Sequence, residues 1–390
     1  MKIHVAIVSD QILANLIPAM MDRPDKVLLV ASAEMGKRKL DKRLARLLER
    51  DGVKVERHEM APDAGMAQIY EYATGLRDRL VELHADAEIV LNATGGTKLM
   101  SFGFVEVFRG IATRIIYTDT HNRQIESLPN ANAKVVDPER MHDVLDVPRY
   151  LAAQGLQFSK AASDATDFRE RMQGRKAAAK FLAKNAINLE TFIRTMNALA
   201  DRALDRDGQL AHPVQNLHYP PDPRSAWAHA LRELAKGKCI GWTEGESSVV
   251  FIDAERTQFV RGGWLEEYAF HIVHDDKPFD ARMGVEVVIE GSDRARNEFD
   301  VLACHGNQLL FIECKTLKFE EGQNDNDLAY KLKSLGETAR GLFGETWLLS
   351  AQTPTPVLEE RVRQARIRLL GPADLPNLRE NVQQWMGLAK

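Results

Sequence analysis

"NEFDVLACHGNQLLFIECKT", residues 297–316, sets two acids and a lysine among Leu, Phe, Ile and Val. The run divides at His305-Gly306-Asn307, a hairpin-type turn, into two segments of strand character. Side chains alternate along an extended strand, so Phe311, Glu313 and Lys315 share one face and Leu310, Ile312 and Cys314 the other. In the preceding segment Glu298 and Asp300 share a face, with Phe299 and Val301 opposite, and pairing the two segments brings Asp300 toward Glu313. An ionised carboxylate taken out of water is costly unless it is paired or bound to a metal. Two readings fit. One is a surface hairpin with an ordinary cross-strand ion pair. The other is a hard oxygen site suited to Mg²⁺ or Mn²⁺, with a lysine beside it, of the kind that hydrolyses a phosphodiester.

Around this hairpin the chain reads as mixed α/β. "GGWLEEYAFHIV" (262–273) is a helix start whose Glu266 or Glu267 can point at the hairpin, although a Glu pair on a helix is also an ordinary solvated face. "LAYKLKSL" (328–335) offers Tyr330 and Lys331 to a phosphate backbone, or is simply a charged helix face. Strands are expected at Ser247–Asp253, Thr257–Arg261, Gly284–Ile289, Thr346–Leu349 and Arg366–Leu370, with helices at Gly263–Val273, Leu328–Gly341, Val357–Ala365 and the C-terminus. Upstream, residues 146–240 are rich in Ala, Lys and Arg with helical periodicity until "HYPPDPRSAW" breaks it. The segment reads as a helical connector, with Arg169, Arg171, Arg175, Lys176 and Lys180 on an exposed helical face or against a nucleic-acid strand.

The first 145 residues alternate short β-branched runs (Ile3–Val8, Lys26–Ala31, Val53–His58, Glu88–Asn92, Thr113–Thr118) with helical patterns (Lys37–Arg50, Gly65–Leu83, Leu99–Arg109). That is the signature of a doubly wound parallel sheet, whose ligands sit beyond the carboxyl ends of the strands. Two segments fall there: "SDQILAN" (9–15) and "NATGGTK" (92–98). In "IVLNATGGTKLMSFGF" (89–104) the glycines allow close backbone approach, and the N–H groups of a helix start favour an anion; a tight turn capped by Thr97 is the plainer account. The order Gly96-Thr97-Lys98 does not match the Walker pattern, and no G-x-G-x-x-G is present.

With 390 residues, 44% hydrophobic and 28% charged, the chain has the length for two domains and a globular composition. A net charge of −4 excludes a uniformly basic coat but not a local basic patch. Cys239, Cys304 and Cys314 form neither a disulfide framework nor a zinc spacing, so a reducing cytoplasm is expected. The start "MKIHVAIVSD" lacks the apolar length of a signal peptide, and no window reaches transmembrane length, so no membrane association is expected.

Gly262-x-x-Leu265-Glu266, then Asp300, then Glu313-x-Lys315, in helix–strand–strand order, resembles the PD-(D/E)xK nuclease superfamily over roughly residues 250–350. Phe299 stands where that pattern often has proline. The resemblance implies Asp300 and Glu313 as metal ligands with the Cys314 carbonyl, Lys315 as the catalytic lysine, and Glu266 as a supporting acid. Residues 1–145 resemble the Rossmann-like CARF domain, which binds cyclic oligoadenylates across a two-fold dimer axis. By that resemblance Ser9, Asp10, Gln11, Asn92, Thr94, Gly95, Gly96, Thr97 and Lys98 contact the ligand, with "SAEM" (32–35) and "YTDT" (117–120) as further loops. The whole chain, read as CARF domain 1–145, helical connector 146–240 and restriction-endonuclease-like domain 241–390, is similar to the stand-alone nuclease effectors of type III CRISPR systems. That implies a homodimeric, metal-dependent nuclease acting on DNA or RNA, with DNA favoured, and switched on by cyclic tetra-adenylate. The rival readings are a constitutive restriction- or repair-type nuclease, a non-enzymatic sensor, and a first domain that degrades its own ligand.

Overall fold

A computed structural model describes residues 1–120, 122–131, 136–290, 296–317, 332–333, 336, 339, 341 and 344–388. Contacts divide the chain into two compact units, Met1–Gln157 with Gly341–Phe343, and Phe158–Arg340 with Gly344–Lys390. Each is an α/β body with its own sheet and core.

In the first unit the apolar runs become β1 (Lys2–Ile7), β2 (Lys26–Ser32), β3 (Lys54–Ala61), β4 (Glu88–Asn92) and β5 (Arg114–Asp119), followed by β6 (Gln124–Leu128) and β7 (Glu139–Arg140). The sheet order is β3-β2-β1-β4-β5-β6-β7. The first five strands are parallel, and β6 and β7 add antiparallel edges. Because chain order reverses between β1 and β4, a crevice opens at their carboxyl ends, where such sheets bind ligands. Helices α1 (Ile12–Asp22), α2 (Ala33–Lys37), α3 (Leu40–Arg50), α4 (Met66–Leu83) and α5 (Lys98–Phe108) connect the strands. Helix α1 begins inside the expected loop "SDQILAN" and buries Ile12, Leu13, Leu16 and Ile17. An apolar core of Ile3, Val5, Leu28, Leu91, Phe104 and Phe108, among others, lies under α4 and α5. Helix α6 (Val147–Ala153), with Pro148 in its first turn and Asp146 as its cap, closes the unit.

In the second unit β8 (Leu156–Ala161) leads to α7 (Thr166–Lys184) and α8 (Ala186–Ala203). These helices, expected as a connector, share the unit's main core: Leu182, Phe192, Ile193 and Met196 cluster with Trp264, Ile312 and Trp347. A small sheet of β9 (Val214–Asn216), β10 (Ile240–Gly241) and β11 (Ser248–Phe251) flanks α9 (Ala226–Lys236). The large sheet joins β8 to β12 (Asp280–Ile289), β13 (Arg296–His305), β14 (Gln308–Lys315), β15 (Gly344–Ser350) and β16 (Arg368–Leu370), in the order β16-β15-β14-β13-β12-β8. The hairpin of residues 297–316 is therefore its centre, with β12 antiparallel on one side and β15 parallel on the other. Helices α10 (Ala254–Gln258), α11 (Trp264–Asp275), α12 (Pro356–Gln364) and α13 (Leu378–Met386) complete the fold.

Two expectations are corrected here. Thr257–Arg261 is not a strand: the Asp253 side chain accepts from Arg256 N at 2.8 Å and starts α10, which runs through the π-helical turn Phe259–Gly263 into α11. The cap and the burial of Phe259 and Val260 on the helical side override the β-branched run. Nor do the basic residues of α7 form one exposed face, because Arg175 is only 4% exposed. Tyr330 and Lys331, and most of the expected Leu328–Gly341 helix, lie outside the described residues.

The hairpin is not regular. Met283 pairs with Val301 and Val285 with Phe299, and between them Gly284 has φ +59°. Val301 joins Met283 and Ile312 in the main core. Phe299, expected on the same side as Val301, instead meets Phe311 edge-on with ring centroids 4.9 Å apart. A kink of this kind re-aims side chains beside it, and the residue between Phe299 and Val301 is Asp300. A Cβ on Gly284 would sit 2.9 Å from that of Ala162. Gly284→Ala is thus expected to lower the unfolding free energy by about 1–3 kcal/mol, measured by urea unfolding.

Candidate active site

The acids lie away from the turn of the hairpin, Asp300 in the middle of β13 and Glu313 near the carboxyl end of β14. Asp300 is half-buried, and one of its carboxylate oxygens accepts the Cys314 N–H at 2.7 Å. Glu313 is 2% exposed, and Lys315 donates to it at 2.6 Å. From the facing helix Glu266 comes to the same place, because the bend before α11 lies against the end of β14. A Cβ on Gly262 would approach Thr316 Oγ1 to 2.7 Å, so the chain needs glycine there. Thr316 in turn donates to the Arg261 carbonyl at 3.4 Å, and Asn197 of α8 donates to the Thr316 carbonyl at 3.1 Å. The residue after Lys315 is held from two sides.

The charges are unbalanced. Burial and then the negative charge of Glu298 push Glu266 up to about 7 from an ordinary 4.5, against the pull of Lys315. Burial, then Glu313, then Glu266 hold Asp300 well above the carboxylate range. Burial opposes the charge on Lys315, but Glu313 and Asp300 outweigh it and raise its pKa. Asp300, Glu313 and Glu266 thus crowd one ammonium, with the exposed Glu298 beside Glu266, at the edge of a cavity of about 440 Å³ that Glu266, Glu298, Cys314 and Lys315 help to line. An excess of buried carboxylate over cation is the setting in which a hard divalent ion lowers the energy. The oxygens are not gathered as a finished cage: among the described residues no three His, Cys, Asp or Glu side chains form a group that could hold a metal. The Cys314 thiol is buried and pushed up by burial first and Asp300 second, so as a thiolate it is a poor ligand.

The two glutamates on α11 have separate roles. Glu266 joins the acids, whereas Glu267, 2% exposed, takes the buried Arg175. Sequence reasoning missed Glu298 as a member of the cluster, although its position two residues before Asp300 was the available signal.

In the first unit "NATGGTK" and "SDQ" meet at the β1–β4 crevice. A Cβ on Gly95 would come within 1.9 Å of the Ile7 carbonyl and 3.2 Å of Ser9 Oγ, and Gly96 has φ +75°. Only glycine allows this approach. Thr97 caps α5, accepting from Met100 N at 3.2 Å, and Lys98 is exposed. Asp10, also exposed, pairs with Arg38, and Gln11 N donates to Ser9 Oγ at 3.3 Å. Asn92 and Thr94 turn inward instead. Asn92 donates to the Ala14 carbonyl at 2.9 Å and accepts from Thr94 Oγ1 at 2.6 Å, and Thr94 Oγ1 accepts from Thr118 N at 2.8 Å. This network fixes β4 against α1 and β5. It sets the loop's shape from beneath, while Gly96, Thr97 and Lys98 form its surface.

Family models match both units. Residues 3–150 match the Card1 CARF domain, and residues 253–389 match the Card1-like endonuclease domain. The chain joins a Card1-type CARF domain to a Card1-like endonuclease domain. Solved structures share the fold along nearly the whole chain. Protein VC1899 from Vibrio cholerae is 22% identical with a TM-score of 0.83, covering 99% of this chain and 98% of that one. Can2 from Sulfobacillus thermosulfidooxidans, solved in complex with cyclic tetra-adenylate, is 23% identical with a TM-score of 0.76, covering 98% and 97%. A type III CRISPR defence DNA nuclease activated by cyclic oligoadenylate is 14% identical with a TM-score of 0.52; the match spans 93% of this chain and 51% of that one. None of the curated proteins compared matches the chain. Among the described residues no helix is long and apolar enough to cross a membrane.

The electrostatics of the endonuclease domain carry a sign. Glu266 ionises near 4.5 when unfolded and near 7 when folded, so between these values the folded state binds the proton more tightly. Stability of the chelator-treated protein is expected to fall as pH rises through that window. Glu266→Gln lacks this loss and is expected to be more stable than wild type above pH 7 by about 1–3 kcal/mol in urea unfolding.

Proposed function

We propose that the endonuclease domain hydrolyses phosphodiester bonds of nucleic acid, DNA in preference to RNA, with a bound Mg²⁺ or Mn²⁺. The observation that carries this reading is the gathering of Asp300, Glu313 and Glu266 around Lys315, beside a cavity that Glu266, Glu298 and Lys315 line. Asp300, Glu313 and Lys315, with Glu266 beside them, fit the PD-(D/E)xK pattern. Asp300, Glu313 and the Cys314 carbonyl would hold the ion, and Glu266 would support them. A divalent cation there supplies positive charge to the phosphoryl oxygens and lowers the pKa of water. Lys315, tethered to Glu313 at 2.6 Å, stands beside the scissile group and offers its charge to the oxygens as they become more negative. The Asp300 carboxylate is aimed by the Cys314 N–H before any substrate arrives.

The CARF domain is the sensor in this reading. Cyclic tetra-adenylate, the ligand of the Can2 structure, would lie on Gly95, Gly96, Thr97 and Lys98 with Ser9, Asp10 and Gln11. Helices α4 and α5 present Met66, Tyr70, Leu99 and Phe102 to solvent, and Phe102 is 65% exposed. They pack on one another through Gly103, whose Cβ would stand 2.7 Å from Ile69 Cγ2. Large apolar side chains exposed beside a ligand loop suit a two-fold partner, which would place two copies of the loop around one ring. A ligand can act as a switch only by binding the active arrangement more tightly than the inactive one.

Nucleic-acid cleavage in Mn²⁺ with saturating cyclic tetra-adenylate tests the site. Glu313→Ala and Lys315→Ala are each expected to cut about a hundredfold more slowly or worse; a wild-type rate in either places the chemistry elsewhere. Phe102→Asp is expected to convert the dimer to monomer in sedimentation analysis, and an unchanged mass would remove this face as the interface.

A further inference from the structure

Beside the acid cluster, and facing the same cavity, lies a second set of charges that the hydrolytic reading does not use. Arg175, in the middle of α7, is 4% exposed. Its Nε stands 2.9 Å from both carboxylate oxygens of Glu267, and a terminal nitrogen also contacts Glu267 and lies 3.1 Å from Glu255 Oε1. Its guanidinium covers the Phe259 ring at 4.8 Å. Arg171, one turn earlier, reaches the other oxygen of Glu255 at 2.6 Å.

These contacts span the bend that presents the site. Glu255 lies on α10, Phe259 begins the π-helical turn, and Glu267 is on α11 next to Glu266. The same turn carries the Arg261 carbonyl and Gly262, which meet Thr316 directly after Lys315. A bidentate guanidinium fixes direction as well as distance. A buried ion pair is seldom the cheapest way to stabilise a fold, since apolar residues of similar volume often do as well. Directional hold is what apolar packing does not supply.

We propose that Arg175 is a positioning residue of the hydrolytic site. By gripping Glu267 and Glu255 it sets the α10–α11 bend, and through the bend the direction of Glu266 and the seat of Lys315. It does not contact substrate. The proposal rests on the nuclease reading for its activity readout, and on local backbone order for a readout of its own.

The test compares wild type, Arg175→Lys, which keeps the charge without the fork, and the double variant Arg175→Met/Glu267→Leu, which removes both charges together. Three quantities are followed: melting temperature, steady-state cleavage in Mn²⁺ with saturating cyclic tetra-adenylate, and amide hydrogen exchange across residues 259–268. The expected result for the double variant is a near-wild-type melting temperature, kcat lower by about tenfold to a hundredfold with KM unchanged, and faster exchange across the bend. Arg175→Lys is expected to move kcat in the same direction by about threefold to tenfold. Wild-type kcat in either variant overturns the proposal, as does a raised KM at unchanged kcat, which would make Arg175 a substrate contact. If wild type itself fails to cleave, the nuclease reading is at fault. Exchange across the bend then decides alone, and unchanged protection in the double variant overturns the positioning role. Should the double variant not fold, Arg175→Lys decides by the same three quantities.

Discussion

Too many carboxylates for one lysine, held half out of water, is the constraint on which the second unit is organised. Burial, Glu313 and Glu266 raise the cost of ionising Asp300; burial, Glu298 and Glu313 raise that of Glu266; and Lys315 offsets only part of it. A fold tolerates such a cluster only if the surrounding structure forces it. Here the forcing elements are identifiable: a central hairpin with apolar neighbours on both faces, a positive-φ glycine opposite the kink at Asp300, and a helix bend pressed onto Thr316. The stability given up at the site is the energy that a hard cation would return. Structure and chemistry thus meet in one local imbalance of charge.

The first unit works by the opposite logic. Its ligand loop carries little buried charge, and its shape comes from polar groups satisfied underneath. Asn92, Thr94 and Thr118 tie the end of β4 to α1 and β5, and Gly95 presses onto the Ile7 carbonyl. What remains at the surface is short side chains, backbone and Lys98. A loop preformed in this way costs less ordering on binding, so more of the binding energy is available to shift an arrangement of domains.

Much of this was legible in the sequence because it depends on local rules. Alternation of β-branched runs with helical patterns located all five parallel strands of the first unit, and the glycine pair marked the tight turn after β4. The E-x-K spacing and the acid before it located the cluster of Asp300, Glu313 and Lys315. What was not legible depends on tertiary contacts. Strict strand alternation failed at Asp300, since only the break in pairing at Gly284 of the neighbouring β12 reveals the kink that moves Phe299 onto Phe311. Thr257–Arg261 has strand composition but follows the Asp253 cap into a helix. Glu266 and Glu267 are equivalent in the sequence and separate only when α7 brings Arg175 to one of them. The basic run of α7 looked solvent-facing because a buried arginine and an exposed one have the same letter.

Control of the endonuclease domain's acid cluster by the CARF loop is tested most directly by the rate at which the full chain cleaves DNA in Mn²⁺, measured with and without saturating cyclic tetra-adenylate. Rapid cleavage with the ligand and little without it is expected, together with loss of that ratio in Lys98→Ala. Equal rates in both conditions would contradict such control.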